Sequence, residues 1–425
     1  MTHIPFRPLR FVMFSAKSAQ HLLAGAPPPL PLIVLLGAIT AIGPLSTDMY
    51  LPAFPTLDKE LEGGGPGSAQ FTLATWFAGL AVGQFSCGPL SDRFGRRAPL
   101  IAGLLVFTLA SIGCATTSDF HAFCLFRFLA ALGGAVGAVV PRAFVRDIAT
   151  GRDGARIMTQ LTLVFGAMPI LAPSLGGAVL TFGSWRWIFW IAVLYGVAGI
   201  LAVYLMLPDT LPLSRRVPLH PAAILNRYIN LLGEPNFVLN AIIASAGTFV
   251  TFAYLGGAPV VFEHLIGFTP MQFALFFGVN AATFILCNQI SGKLVQRVPV
   301  ETLMQRGVAA CASAAALFLL LTVLHVATPG HPALVAVLIM MTTGTLGFVG
   351  ANATVLAFHH HGAQAGSASA LLGTMQFSIG AISGVLMGYM PTSSIIPMAF
   401  VMGIGALMMV VADVLRKRLC APVTA

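Results

Sequence analysis

Long apolar stretches alternate with short polar segments along most of this chain. A membrane-spanning helix needs about 20 mostly apolar residues, because it rises about 1.5 Å per residue across about 30 Å of hydrocarbon. On that rule we predict twelve spans in an all-α membrane protein. They cover about 30–54, 70–90, 97–117, 120–142, 158–181, 186–207, 237–260, 271–292, 302–325, 333–357, 367–390 and 394–415.

The longest polar connection divides the spans into two sets of six. It contains five prolines and three arginines, which is typical of a linker. Residues 292–297 also resemble residues 88–93, which supports two related halves with a binding site between them near the midplane. The predicted segments are an N-terminal extension (1–29), a first half (30–207), the linker (208–236), a second half (237–415) and a tail (416–425).

Composition and charge support this interpretation. The 425 residues are 57% hydrophobic and only 8% charged, whereas soluble proteins average about 25% charged. All but three of the 22 Lys and Arg residues lie at the termini or in connections on one face. Such an excess marks the cytoplasmic side, so we predict that both termini and the linker are cytoplasmic. The net charge of +9 therefore reflects orientation, and we expect no nucleic-acid partner.

Several kinds of chemistry have no sequence support. The six cysteines form no C-x-x-C pair, so we predict neither a disulfide framework nor a metal site. The chain has no G-x-x-x-x-G-K-[ST] phosphate loop, so ATP is not the expected energy source. No hydrolase-like arrangement of residues stands out. We expect a protein that is not an enzyme and needs no cofactor.

The connection between spans two and three is unusually polar. It places glycines, an acid and three arginines in a short turn that must lie at a membrane face, where an ion-pair network is expected. Plain orientation by positive charge is the alternative. The residues are Gly88, Asp92, Arg93, Gly95, Arg96 and Arg97.

The pattern G-x-L-x-D-R-x-G-R-R in this turn resembles the major facilitator superfamily, as do the twelve spans and the central linker. Four further stretches resemble its Bcr/CflA-type drug-resistance transporters: residues 48–55, 184–190, 209–212 and 365–370. The resemblance covers the chain after residue 30. It implies two pseudo-symmetric six-helix halves that work by alternating access, as a multidrug efflux drug:proton antiporter.

The resemblance also implies roles for the polar turn. It places Asp92 beside the start of span eleven, near Gly366 and Ser367, where a helix N-terminus favours a carboxylate. Arg96 or Arg97 would bridge Asp92 to Asp147 and latch the two halves on the cytoplasmic side.

Two charged residues lie deep inside predicted spans. Asp48 is about 10 Å and Arg127 about 12 Å from the same outer face at helical rise. Buried charges are costly and usually face a cavity or a partner. The resemblance makes spans one and four neighbours, so we predict that the two residues face each other and that Asp48 carries the proton. A snorkelling acid and a static ion pair are the alternatives.

Span five resembles the antiporter motif G-P-x-x-G-G, with Ala172 in place of the leading glycine. Ordinary helix packing is the alternative, because proline kinks helices and small residues permit close approach. The residues concerned are Pro169, Pro173, Gly176 and Gly177.

Aromatic and amide side chains inside the spans suit a cavity for amphipathic compounds. Packing and interhelical hydrogen bonds are the alternative roles. The candidates are Tyr50, Phe249, Phe252, Asn280, Asn352 and Gln376.

The resulting hypothesis is a monomeric inner-membrane exporter of small drugs, driven by protons. Its partners would be the lipid bilayer, protons and a chloramphenicol-, florfenicol-, bicyclomycin- or sulfonamide-like substrate, which relates it to antibiotic resistance. A proton-linked exporter of a natural metabolite such as an amino acid, and a membrane sensor without transport, are the alternatives.

Overall fold

The computed structural model describes residues 29–65, 67–149, 151–211, 221–359 and 365–420. Among these residues the secondary structure is helical, apart from one isolated bridge between Glu62 and Asp119. The predicted all-α fold is therefore confirmed. Residues 1–28 of the predicted extension, part of the linker and residues 421–425 lie outside the described residues.

The helices before the linker follow the predicted spans closely. Span one ends early at Asp48, because Pro52 lies in a 3-10 turn and offers no N–H to continue the α-helix. Span four is two adjoining helices. The bounds are α1 (Leu30–Asp48), α2 (Phe54–Glu60), α3 (Ser68–Phe94), α4 (Arg97–Thr116), α5 (Phe120–Gly134), α6 (Val136–Ile148), α7 (Gly151–Phe182) and α8 (Arg186–Met206).

The remaining helices include one inside the predicted linker. Two helices there begin with a proline, whose missing N–H has no helical partner at the first position anyway. The bounds are α9 (Pro221–Leu232), α10 (Pro235–Pro259), α11 (Pro270–Leu294), α12 (Val300–Val323), α13 (Pro332–Thr345), α14 (Gly350–Phe358), α15 (Ala365–Tyr389) and α16 (Ile396–Leu419).

The linker helix α9 was not predicted from the pattern. It forms because Tyr228 and Leu231 are buried against neighbouring helices. The ring of Tyr228 lies 5.0 Å from that of Phe85 on α3, and α9 also packs on α10 and α15. The helix therefore contacts elements on both sides of the predicted linker.

Eleven helices or adjoining helix pairs in the described residues are long and apolar enough to cross a membrane. The remaining predicted span corresponds to α3, which is not among these eleven. It has 27 residues, enough for about 40 Å of helix. Its more polar composition fits its position, because α3 packs against both α5 and α15.

The first and second sets of spans are in contact along α3 and α15, and two of these contacts lie at one end of the bundle. Gly67 lies against the carbonyl of Gly388, and Phe71 packs edge-on against Tyr389 at 4.9 Å. The other end, which we call the basic end, carries Arg93, Arg96, Arg146, Arg297 and Arg416. Further along α3 and α15, a Cβ at Gly373 would lie 3.2 Å from the side chain of Gln84, so the contact between the two sets continues towards the basic end.

Candidate functional site

Asp48 is the last residue of α1 and only 5% of its surface is exposed. In the described part of the chain it makes no hydrogen bond and no ion pair. The 3-10 turn that follows it packs against α7, α10 and α11. The acid thus lies where α1 meets helices from both sets of spans.

Arg127 lies on α5 and is completely buried. Its Nη1 donates to the carbonyl and the hydroxyl of Ser46, both at 3.3 Å. The guanidinium carbon is 4.2 Å from the ring centre of Tyr50, 4.3 Å from Trp76 and 5.7 Å from Phe189. Cation–π attraction to these faces offsets part of the cost of burying the charge. Nε and Nη2 have no hydrogen-bond acceptor among the residues that the structure describes.

The predicted facing pair of Asp48 and Arg127 is not an ion pair in this structure. No contact within salt-bridge distance joins them among the described residues. An α-helix turns by about 100° per residue, so Ser46 and Asp48 point to nearly opposite sides of α1. Ser46 faces α5 and accepts the hydrogen bonds of Arg127, whereas Asp48 points away from α5. The equal depth of Asp48 and Arg127 in the membrane predicted that they are close, but it could not predict the direction in which each side chain points.

The aromatic candidates occupy three different surroundings. Tyr50 is buried under Arg127, and its hydroxyl lies 3.3 Å from that of Thr72. Phe252 stacks on Phe77 of α3 at 3.4 Å, directly between the two sets of spans. Phe249 is buried in the interior of the second set, where the backbone of α16 approaches it closely.

The amide candidates also separate. Asn280 on α11 is buried, and its Oδ1 accepts a hydrogen bond of 2.7 Å from Thr343. Asn352 donates to the hydroxyl of Ser291 at 2.9 Å, which ties α14 to α11. Gln376 is half-buried on α15. Asn352 and Asn280 thus both have packing contacts within the second set of spans.

The predicted antiporter helix α7 continues through Pro169 and Pro173 without a break in its helical assignment. Gly176 lies directly against the backbone carbonyl of Met49, the residue after Asp48. At Gly177 a Cβ would lie 3.1 Å from the carbonyl oxygen of Pro270 on α11. The two glycines therefore let α7 contact the end of α1 and the start of α11 together.

Replacement of Gly176 by Ala is expected to destabilise the protein by about 1–3 kcal/mol, since the added methyl would overlap the Met49 carbonyl and force backbone movement. Thermal unfolding in detergent measures this effect. Gly166→Ala is the matched control on the same helix, because nothing lies within 4 Å of its would-be Cβ. Equal stabilities of the two variants would contradict the prediction.

Arg96 is the centre of an ion cluster at the basic end. It lies between α3 and α4, with 6% of its surface exposed. Its guanidinium donates to Asp92 at 2.7 Å, to Asp147 at 2.7 and 3.2 Å and to Ser91 at 2.8 Å. Burial alone would lower the pKa of Arg96, but the hydrogen bonds and charges of Asp147 and Asp92 raise it above its ordinary value.

Two residues of this cluster were missed in the sequence-based site. Asp209 accepts a hydrogen bond of 3.0 Å from the backbone N–H of Arg96, and Thr210 donates to Asp147 at 3.1 Å. Gly95 has φ +86° and its Cα faces Asp209 so closely that a side chain has no room. The sequence did contain a signal for Asp209, because this acid follows span six and therefore lies at the same membrane face as the polar turn.

The described hydrogen bonds of Arg96 itself are all with residues before 211. Asp92 is more than half exposed, and no hydrogen bond or ion pair links it to Gly366 or Ser367 in the described chain. Arg97 donates to the carbonyl of Tyr204 at 2.5 Å, and Arg93 lies over Phe94. In this conformation the cluster braces the first set of spans, and a latch between the two sets stays a prediction.

The second set of spans has an ion cluster of different construction. Arg416 on α16 donates to Glu301 and to Asp413, both at 2.9 Å. Arg416 and Asp413 are both buried. This cluster connects α12 with α16 at the basic end, although residues 292–297 lack the acid of the first polar turn.

Across the described residues, no group of three or more His, Cys, Asp or Glu side chains could hold a metal ion.

Comparison with known proteins identifies the family. The profile of the Major Facilitator Superfamily matches residues 36–385. An uncharacterized MFS-type transporter, YdgK of Bacillus subtilis, is 33% identical over 89% of this chain and 93% of its own length. A bicyclomycin resistance protein homolog of Haemophilus influenzae is 30% identical over 87% and 92%. A chloramphenicol resistance protein of Pseudomonas aeruginosa is 30% identical over 68% of each chain.

A solved structure supports the same fold. The crystal structure of a D-xylose-proton symporter superposes with a TM-score of 0.73 at 16% identity, over 92% of this chain and 97% of the symporter. Together with the family profile and the membrane-spanning helices, this shows that the chain belongs to the major facilitator superfamily and is a multi-pass inner-membrane transporter of small molecules rather than an enzyme.

Proposed function

We propose that this transporter exports small amphipathic drugs in exchange for protons. The observation that carries the proposal is Asp48, an enclosed acid without a described partner at the junction of α1, α7 and the second set of spans. An ionisable residue in such a place marks a substrate or proton pathway by default. The bicyclomycin and chloramphenicol resistance relatives support drugs as the substrate class.

The transport cycle we propose is alternating access by two six-helix halves, residues 30–207 and 237–415, in a monomer. The excess of Lys and Arg supports a cytoplasmic location for the basic end and both termini. On that orientation a drug would enter from the cytoplasm, at the basic end. Proton binding at Asp48 from the outside would accompany drug release.

Drug uptake into everted membrane vesicles tests the proposal. Vesicles that contain the protein should accumulate chloramphenicol, florfenicol, bicyclomycin or a sulfonamide only when their interior is acidic, and collapse of the pH gradient should stop uptake. Gradient-independent uptake would exclude proton antiport. A gradient-driven flux of amino acids without drugs would support a metabolite exporter, and no flux of any compound would favour a sensor.

A further inference from the structure

A small cavity lies between the two sets of spans at the end opposite the basic end, which we call the outer end. Its walls come from α10, α15 and α16 of the second set and from Gln70 of α3 in the first set. Its volume of about 10 Å³ is room for about one water molecule. Three of its wall residues are methionines, whose flexible side chains fill irregular gaps: Met387, Met390 and Met398.

Gln70 reaches this cavity from the start of α3. Asp58 fixes that start, because its carboxylate accepts hydrogen bonds from two backbone N–H groups there, at 2.8 and 3.2 Å. The chain on either side of Gln70 is pressed against α15, since Gly67 and Phe71 both lie against Gly388. The first turn of α3 therefore holds Gln70 against the second set of spans.

The second set of spans forms a socket around the stem of Gln70. A Cβ at Gly256 would lie 3.6 Å from Cγ of Gln70 and 3.6 Å from Cβ of Met387. At Gly257 a Cβ would lie 2.7 Å from Cγ of Met398, so a glycine lets α16 approach α10 here. The two glycines and the two methionines form what we call the outer socket.

The amide of Gln70 is a polar group in this apolar socket. Gln70 is 1% exposed, and its Oε1 is enclosed without a hydrogen-bond partner among the residues that the structure describes. An unsatisfied buried acceptor costs free energy. Ser394 is also in the cavity wall, and since its Oγ accepts a hydrogen bond from the N–H of Ile396 at 3.0 Å, its O–H can donate into the cavity. One water molecule can therefore donate to Gln70 and accept from Ser394.

We propose that Gln70 and one bound water molecule form a gate at the outer end, with Gln70 inserted in the outer socket when the gate is closed. This inference rests on the alternating access of the proposed function, in which the two sets of spans separate at this end. Separation withdraws Gln70 from the outer socket and hydrates its amide fully. The polar amide thus limits the stability of the closed gate, whereas an apolar side chain in the same place would favour permanent closure.

Hydrogen–deuterium exchange of the full-length protein in detergent measures opening of the gate, in peptides from the start of α3 and the end of α15. Gln70→Met keeps the length of the side chain and removes its amide, so these peptides should exchange about tenfold more slowly. Gln70→Glu places a carboxylate in the outer socket, which needs more water, so the same peptides should exchange faster. Gln289→Met is the matched control, because Gln289 is exposed on α11.

The two Gln70 variants distinguish a gate from a residue that only packs. Slower exchange in Gln70→Met together with faster exchange in Gln70→Glu, both confined to the outer end, supports the gate. Unchanged exchange in Gln70→Met, or faster exchange in both variants, overturns it, and so does unchanged or slower exchange in Gln70→Glu. Because exchange is measured without a drug or a pH gradient, its result is independent of the vesicle uptake that tests the proposed function.

The bound water is tested separately. A crystal structure of the closed state should show one water molecule within hydrogen-bond distance of Oε1 of Gln70 and Oγ of Ser394. A protein group that donates to the Gln70 amide in its place would overturn the water.

Discussion

Replacement of Asp48 by Asn is expected to abolish gradient-driven export while leaving a folded, inserted protein. Asparagine has the same size and shape as aspartate but cannot bind or release a proton. Asp48 is 5% exposed and has no described partner, so its charge is not needed for packing. Insertion scales assign a cost of roughly 2.5–3.5 kcal/mol to a charge at the centre of a span. The variant should therefore be at least as stable as the wild type.

Drug uptake at a series of imposed pH gradients measures this effect, together with thermal unfolding of the purified variant. Asp119→Asn is the matched control. Asp119 is exposed at the end opposite the basic end, where its carboxylate caps α5 by accepting a hydrogen bond from the N–H of Ala122, and asparagine caps a helix equally well. Full pH-dependent export by the Asp48 variant would exclude this acid as the proton carrier.

Replacement of Arg96 by Ala is expected to lower the free energy of unfolding by about 2 kcal/mol, because it leaves Asp147 without its charged donor. Asp147 is mostly enclosed, with 19% of its side chain exposed, so water replaces the lost contact only in part. Asp92 contributes less, since it is 56% exposed and its attraction to Arg96 is screened. Transport should fall several-fold, because the first half no longer moves as a rigid unit.

Arg93→Ala separates this brace from the effect of positive charge on orientation. Arg93 belongs to the same turn and lies over the Phe94 ring at 5.4 Å, but it is exposed. Its removal deletes the same charge with little effect on stability. Chemical denaturation in detergent and drug uptake compare the two variants. If Arg96→Ala were as stable and active as Arg93→Ala, the cluster would be only an orientation signal.

The pattern of apolar residues was sufficient to predict the membrane-spanning helices. It was insufficient wherever the burial of a residue depends on a helix that is distant in sequence. The length of an apolar segment alone predicts a helix such as α4. A single segment in hydrocarbon can pair its backbone N–H and C=O groups only by forming a helix. It does not predict α9, whose Tyr228 is buried only because Phe85 of a distant helix lies beside it. The same holds for Asp209, whose part in the Arg96 cluster depends on how the chain returns after span six.

By itself the sequence determined that this is an all-α membrane protein with an acid and an arginine at similar depth and a charged turn at one face. These properties follow from composition and from one-dimensional spacing. Only the tertiary structure decided that Ser46 rather than Asp48 contacts Arg127, and that Arg96 is bound by Asp92, Asp147 and Asp209. Contacts between helices depend on the direction of each side chain around its axis, and equal depth along two spans leaves that direction open.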